Sequence, residues 1–431
     1  MNHMTMTKNK FNRYGALVVF CASMSMSNTA SANDSNAAEY VATASSGTTE
    51  GFPIVYSGAA ITLGANAKVF GGIQSVAAAT LGGAAEVSGS ILAGAAVTVE
   101  RDGKVGRDVT AGAAVTLGAN ASVKGGVAAR AEVTIGDSAT ISGDVTGSGN
   151  ITLGANAKVS GNTTAANSVT LGAQAVAGTY ITDYVRTMSG PIILGAHATV
   201  NGDATAGSTI SMGLDANVEG VSTTHNTPVS FDNNAEGLEV EKTVELTGIQ
   251  EQLSGSAINY ELAATIATSR DFSPGVYHAS ALTTAAGVTL TFTGTKGNVP
   301  DHWLINIDTY ISFGANVTIE LDDDVADGST ILFNAGTYAT IGADSTFKGT
   351  IITGTYITTG AGSTLAGVGS DCGGLYAING AITLGAYGTV GAADCHDKDT
   401  NALIETEDAV VDESVGTTTE ATVDDEFDID L

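Results

Sequence analysis

The sequence predicts a mainly β protein, built as a parallel β-helix with 18 residues per coil and three faces, with one amphipathic α-helix packed alongside. Three observations lead to this fold class. The chain of 431 residues contains 55 glycines, which favour frequent turns. Apolar residues recur every 18 positions over a long segment, as in a repeat architecture. A hydrophobic content of 43% is too high for a disordered chain.

Residues 1–32 have the features of a secretory signal peptide. A basic start is followed by an apolar stretch at 15–26 and by small residues that would permit cleavage near Ala32. We therefore expect a secreted, extracellular or cell-surface protein. Residues 33–53 read as a linker between the signal peptide and the first repeat.

Regular β-helix repeats are predicted over residues 54–222. Each unit has an apolar anchor, and further apolar residues follow about six and ten positions later, as at Val69 and Ile73. Three short strands per unit are typical of a parallel β-helix coil. The series resumes at Leu194 after an insertion that contains Pro191. The anchors are Leu63, Leu81, Val99, Leu117, Ile135, Leu153 and Leu171.

A connector with one helix is predicted over residues 223–270. Leu246, Ile249 and Leu253 keep a spacing of three and four that places them on one side of a helix, and the spacing continues to Ala264. This pattern differs from the repeats on both sides, so the helix should lie beside the β-helix.

A second β-helix is predicted over residues 271–396, and a disordered acidic tail over 397–431. The tail holds 13 acidic residues and one lysine without any period. Cys372 and Cys395 are the cysteines that remain after signal peptide removal, and an even pair in an oxidising compartment favours one disulfide.

Charge and motif content exclude several functions. The formal net charge of −29 disfavours nucleic acid as a partner. The sequence contains no run of 18 apolar residues, so no membrane-spanning helix is predicted. The histidines lack metal-ligand spacing and no catalytic motif is present, so we expect no enzyme activity, cofactor or metal. A calcium site at Asp322, Asp323, Asp324 and Asp327 remains the alternative to a solvated acidic turn.

Four phrases between residues 246 and 390 occur in a specific order. They are Phe-Ser-Pro-Gly-Val-Tyr at 272–277, His-Trp-Leu-Ile-Asn-Ile at 302–307, Ile-Leu-Phe at 331–333, and the stretch from Thr340 to Ile351. Together they resemble the β-helical ice-binding (antifreeze) proteins. The resemblance implies a β-helix with a helix beside it and adsorption to ice. The regular coils at 54–222 look more like the β-helical repeats of bactofilin.

Columns of outward hydroxyl residues are predicted on both β-helices, because residues two apart in a strand point to the same side. The resemblance makes the C-terminal columns the first candidate for an ice-binding face, together with Thr353 and Thr355 in a family-like phrase. The N-terminal column is the second candidate, with Thr164 and Asn167 in a similar phrase. The alternative is that threonine simply suits strands and stacks well. The C-terminal columns are Ser312, Thr340, Thr358 and Thr383, and then Thr346, Thr364 and Thr389. The N-terminal column is Thr62, Thr80, Thr98, Thr116, Thr134, Thr152 and Thr170.

The function expected from these features is adsorption to an ice crystal surface, with inhibition of ice growth or recrystallisation. The alternative is a structural or adhesive protein of a cell surface or biofilm matrix. In that case the β-helix would act as a spacer or as a unit that associates with further copies of itself.

Overall fold

The computed structural model describes residues 53–180, 183–224, 242–295, 297, 299–322, 325–326, 328–368 and 372–392. The predicted signal peptide, the linker up to residue 52 and the acidic tail lie outside these residues. Cys395 also lies outside them, so its pairing with Cys372 stays a prediction.

Three long parallel sheets run side by side along the described chain, which confirms the predicted β-helix. Each coil contributes one short strand to each sheet. We call them sheets A, B and C in the order in which a coil visits them.

Sheet A consists of Val55–Ser57, Ile73–Ser75, Ile91–Ala93, Val109–Ala111, Val127–Ala129, Val145–Gly147, Thr163–Ala165, Tyr184–Thr187, Asp203–Ala206, Ser222–Thr224, Tyr260–Glu261, Gly275–Ala279, His302–Ile307, Thr330–Ala335, Thr350–Thr353 and Gly374–Ala377. Sheet B consists of Ile61–Leu63, Ala79–Leu81, Val97–Val99, Val115–Leu117, Val133–Ile135, Ile151–Leu153, Val169–Leu171, Ile192–Leu194, Ile210–Met212, Thr265–Ile266, Leu282–Thr284, Ile311–Phe313, Ala339–Ile341, Ile357–Thr359 and Ile382–Leu384. Sheet C consists of Lys68–Val69, Glu86–Val87, Lys104–Val105, Ser122–Val123, Thr140–Ile141, Lys158–Val159, Val176–Ala177, Thr199–Val200, Asn217–Val218, Arg270–Phe272, Thr289–Phe292, Thr318–Leu321, Thr346–Lys348, Thr364–Ala366 and Thr389–Val390.

The two β-helices form one continuous stack, which the sequence did not predict. The last C-terminal coil pairs with the first N-terminal coil in all three sheets, with Val55 beside Leu375 and Val69 beside Val390. Backbone hydrogen bonds close this junction, including the bond from the Gly64 amide to the Leu384 carbonyl at 2.7 Å. The first coil of the chain therefore lies in the middle of the stack. Residues 210–224 lie at one end, and residues 260–272 lie at the other.

The core changes character along the stack. The N-terminal coils fill the interior with valine, isoleucine, leucine and alanine at the predicted anchor positions. The C-terminal coils instead bury aromatic rings, as where Phe292 stacks on Phe272 with ring centroids 4.9 Å apart. Trp303 meets Phe292 edge to face at 5.7 Å. Such pairs add specific contacts to the area they bury, so this half has a densely packed aromatic interior.

Glycine recurs at the corner between sheets B and C because neighbouring coils approach closely there. A Cβ on Gly64 would lie 2.5 Å from the Ala386 nitrogen, and one on Gly82 would lie 2.9 Å from the Ala65 nitrogen. The positive φ of this corner belongs instead to non-glycine residues two positions later, such as Asn66 at 57° and Asn120 at 58°. Asparagine tolerates the left-handed region better than most residues.

Helix α1, Lys242–Ser254, lies over sheet A in the C-terminal half. Leu246 and Leu253 pack with Leu332 and Ile352 of that sheet in a second apolar cluster. The helix ends at Ser254, whereas the sequence pattern continued to Ala264. The first strand of the C-terminal half begins at Tyr260, before the boundary at 271 that the sequence predicted.

Candidate functional site

The outer surface of sheet B carries one uninterrupted column of hydroxyl side chains. Strand pairing places six C-terminal and seven N-terminal members in consecutive coils, followed by Ile193 and Ser211. We call this set the threonine column. In stack order it consists of Thr265, Thr283, Ser312, Thr340, Thr358, Thr383, Thr62, Thr80, Thr98, Thr116, Thr134, Thr152 and Thr170.

The junction between the halves joins the two predicted columns into one. Thr62 is the register partner of Thr383, and the flanking apolar residues pair in the same way. Both threonines are exposed, whereas their strand neighbours Ile61 and Leu63 are buried. The sequence predicted Thr265 and Thr283 in neither column, although each alternates with a buried neighbour.

Small residues flank the threonine column around the junction. The outward positions two residues before the column are alanines at 381, 60, 78, 96 and 114, and glycine follows the column at 385, 64, 82 and 118. Glu100 is the exception among the positions after the column. Short side chains on both sides leave the threonine methyl and hydroxyl groups as the highest points of a flat surface with little charge.

Hydrogen bonds connect some members of the threonine column. The Thr340 hydroxyl donates to the Ser312 oxygen at 3.0 Å, and the Thr265 and Thr283 hydroxyl oxygens are also 3.0 Å apart. Threonine is stiff at χ1 and suits the pleated surface of a strand. The column is therefore rigid as well as regular.

A ridge of tyrosines borders the threonine column in the C-terminal half. The Tyr310 and Tyr338 rings stack with centroids 5.1 Å apart, and the Tyr338 and Tyr356 rings at 4.8 Å. In the next coils, the equivalent positions are Ala381 and Ala60. The flat part of sheet B therefore begins at the last C-terminal coil and continues into the N-terminal coils.

Sheet C carries a second column, confined to the C-terminal half. The predicted residues Thr346, Thr364 and Thr389 are register partners of one another, and Thr318 and Thr289 extend the column. Beyond Thr389 the next positions are Lys68 and Glu86, whose charged groups are 3.9 Å apart. This column therefore ends at the junction, where the threonine column of sheet B continues.

The candidate residues that were predicted from family-like phrases lie outside both hydroxyl columns. Thr353 points into the stack and is fully buried, so it cannot belong to an exposed face. Thr353 follows the buried Ile351 by two residues, and residues two apart in a strand point to the same side. Its inward direction could therefore have been predicted from the sequence. Thr355 is exposed at a corner, where its hydroxyl donates to the Thr337 carbonyl at 2.9 Å. Thr164 lies in sheet A, and Asn167 lies in the turn that follows.

Helix α1 covers part of the outer face of sheet A. Asn306 donates to the Leu253 carbonyl at 2.6 Å, and Gln250 donates to the Ala335 carbonyl at 2.9 Å. At the other end of the helix, the Tyr56 hydroxyl oxygen lies 2.5 Å from the Thr243 hydroxyl oxygen. The helix therefore occupies the outer face of sheet A from the first N-terminal coil across much of the C-terminal half.

One group of titratable side chains lies at the far end of sheet A. The His278 ring nitrogens are each 3.0 Å from a carboxylate oxygen, one of Glu261 and one of Asp308. These hydrogen bonds, first Glu261 and then Asp308, raise the pKa of His278 above its usual range. Across the residues that the structure describes, no three His, Cys, Asp or Glu side chains are arranged to hold a metal ion. Within the same residues, no helix is long and apolar enough to span a membrane.

Comparison with known families confirms the resemblance for one segment. Residues 245–389 match a protein-family model described as ice-binding-like. The matched segment covers the helix and the C-terminal coils, and the regular N-terminal coils lie outside it. A search of curated proteins found no match.

Several solved structures are similar to parts of the chain. An ice-binding protein from the Antarctic ascomycete Antarctomyces psychrotrophicus is 20% identical over 48% of this chain and 92% of its own, with a TM-score of 0.30. An ice-binding protein domain from Shewanella frigidimarina is 15% identical over 49% of this chain and 92% of its own, with a TM-score of 0.31. An ice-binding protein from an Antarctic bacterium of the Flavobacteriaceae is 14% identical over 81% of this chain and 97% of its own, with a TM-score of 0.31.

Proposed function

We propose that this protein binds ice through the outer surface of sheet B and so inhibits ice growth or recrystallisation. The threonine column, continuous through both halves of the stack, is the observation that carries this proposal. The match of residues 245–389 to the ice-binding-like family supports the same class of ligand. We further propose that the chain is secreted after cleavage near Ala32.

The geometry of the column suits a crystalline ligand. Neighbouring coils repeat every ~4.7–4.9 Å, and outward residues along one strand repeat about every 6.6 Å. Both repeats are of the order of distances between water molecules in ordered arrays. Methyl groups that alternate with hydroxyls can hold such an array, because the methyls restrict the water and the hydroxyls bond to it.

Because the threonine column is rigid, many weak contacts can together be sufficient for binding to ice. Binding normally costs conformational entropy for each side chain that becomes ordered. The threonines already stand in one rotamer-restricted row, and every strand that carries them, except the end strand with Thr265, is paired on both sides. The column therefore loses little entropy when it meets a surface, and its contacts add along the stack.

Sheet B suits this role better than sheets A and C. Helix α1 covers sheet A in the C-terminal half. The column of sheet C gives way to Lys68 and Glu86 at the junction, and charged side chains would retain their own hydration. The surface of sheet B keeps the same residue type through the junction and into the N-terminal coils.

The test is ice affinity and thermal hysteresis of the purified chain without residues 1–32. Thr98→Tyr should lower both strongly, because the bulky ring lifts the ice surface away from the neighbouring threonines. Thr110→Tyr is the matched control, since Thr110 is similarly half-buried and lies in the sheet A strand of the following coil. Equal loss of activity in both variants, or no ice affinity in the unmodified chain, would show that the proposal is wrong.

A further inference from the structure

The end of the stack formed by residues 210–224 is open. Strands Ile210–Met212, Asn217–Val218 and Ser222–Thr224 are the last strands of their sheets, so one side of each lacks a strand partner among the described residues. Met212 occupies an inward position, because its register partner in the preceding coil, Leu194, is buried. Met212 itself is 51% exposed. In the adjoining turns, Leu214 is 72% exposed and Val221 is 62% exposed.

The opposite end of the stack is closed. Leu262, Ile266 and Phe272 are buried in its last coil. The neighbouring inward positions hold Tyr260 and Arg270, which are exposed and lie over the core as a cap. The Arg270 guanidinium lies 5.3 Å from the centroid of the Phe272 ring, and Tyr260 stacks on Tyr277 at 4.7 Å. Repeat proteins normally need such terminal caps to prevent association through an exposed core. At the end formed by residues 210–224, the described inward positions carry no charged side chain or aromatic ring over the core, and Met212, Ser222 and Thr224 are exposed there.

We propose that two copies of this chain associate through their open ends, as a closed end-to-end pair. A twofold axis across the stack places the same three edge strands of each copy against one another. The exposed apolar residues Met212, Leu214 and Val221 then become buried. Because the other end is closed, the association stops at two copies and does not continue into a filament.

Residues 225–241 start at the open end but also have to reach helix α1. Residues 225–241 join Thr224 there to Lys242, and helix α1 begins beside Tyr56 in the first coil. Nine coil steps separate these points in sheet A, or about 43 Å. The 18 links from residue 224 to 242 span at most about 65 Å, so the return path uses most of their length.

The two terminal segments start equally far away. Residues up to 52 and from 393 onward leave the described structure at the two coils of the junction, about nine steps from the open end. The segment after His396 also carries 13 acidic residues, whereas the open end holds Asp215 and Glu219. Like charges disfavour that contact. The open end of a second copy carries only the same two carboxylates. It also presents its own Met212, Leu214 and Val221, against which these residues can pack.

The area of one coil end is small beside the ~800 Å² per partner of a standard interface. We therefore expect a dimer that depends on concentration. Salt should strengthen it, since screening weakens repulsion between the carboxylates of Asp215 and Glu219 across the pair.

Sedimentation velocity over a concentration series tests the pair on the chain without residues 1–32. Leu214→Glu should raise the dimer dissociation constant about tenfold or more, because it would bury an unpaired charge. Val299→Glu is the matched control, since Val299 is 73% exposed and lies in a loop of the other half. The control should dimerise as the unmodified chain does. Small-angle scattering should show a maximum dimension near twice the ~72 Å of a single stack of 16 strands.

Three results would overturn the proposal. The first is that the chain without residues 1–32 stays monomeric at every concentration. Further removal of residues 33–52 or 397–431 then shows whether one of these segments covers the open end instead, because dimerisation would appear only after that segment is removed. The second is a dimer that Leu214→Glu leaves intact. The third is growth beyond two copies, which would require the closed end to take part. Ice affinity is not used in this test, so its outcome is independent of the proposed function.

Discussion

Thr62 and Thr383 are register partners in sheet B, although they lie near opposite ends of the described chain. Their pairing makes two separate rows of threonine into one surface. It also places the first coil of the chain in the middle of the molecule. The length of the candidate ice-binding surface therefore depends on the junction as well as on the repeats.

Two threonines of one coil distinguish the faces of the C-terminal half. Thr383 lies in the flat part of the threonine column of sheet B, and Thr389 lies in the shorter column of sheet C. We expect Thr383→Tyr to cause a severalfold fall in thermal hysteresis and Thr389→Tyr to leave most of it, because only sheet B continues across the junction. Thermal hysteresis of both variants measures this. The reverse order would assign ice binding to sheet C.

The junction depends on the close approach of two backbones at Gly58. A Cβ there would lie 1.8 Å from the Ile378 carbonyl oxygen. Gly58→Ala should lower the free energy of unfolding by about 1–3 kcal/mol, the usual cost of overpacking. The control is Gly83→Ala, whose Cβ would meet nothing closer than the Arg101 carbonyl oxygen at 3.7 Å. Urea unfolding followed by circular dichroism compares the two, and equal stability would contradict this role of Gly58.

The aromatic interior should dominate the stability of the C-terminal half. Phe292 is fully buried and contacts both Phe272 and Trp303. Phe292→Ala should cost about 3–5 kcal/mol of unfolding free energy, because it removes apolar contacts and leaves a cavity. Tyr180→Ala is the control, since Tyr180 is largely exposed. A loss in the control as large as that in Phe292→Ala would mean that ring burial is not the cause.

His278 should make the closed end sensitive to pH. Its pKa is raised by Glu261 and Asp308, so the folded state binds the proton more tightly than the unfolded state. The stabilisation is fully present below the unfolded pKa of about 6.5 and is lost as pH rises through the folded pKa. The difference in unfolding free energy between the unmodified chain and His278→Gln should therefore shrink as pH rises.

Histidine titration by NMR provides the direct measurement. Glu261→Gln should lower the pKa of His278 more than Asp308→Asn does, because the hydrogen bond with Glu261 is the larger cause. A pKa at or below the ordinary value in the unmodified chain would contradict the bridging geometry. So would a pKa that neither variant changes.

The sequence alone determined the coil and its local alternation. The 18-residue period follows from apolar residues that must point inward, and Leu63, Val69 and Ile73 are all buried as expected. The same alternation placed Thr62 and Thr340 outside. These features could be predicted because a strand of three residues sets the side on which each residue lies, without reference to distant parts of the chain.

Tertiary structure decided how the coils are arranged. No local pattern shows that Val55 pairs with Leu375, because any coil with this period presents similar edges to a neighbour. The end of helix α1 at Ser254 and the burial of Thr353 likewise depend on what packs against them. The stacking order follows from the free energy of burying the edges and interiors of coils that are far apart in sequence. The local periodicity therefore determined the threonine rows, and only the contacts between distant coils made them one surface.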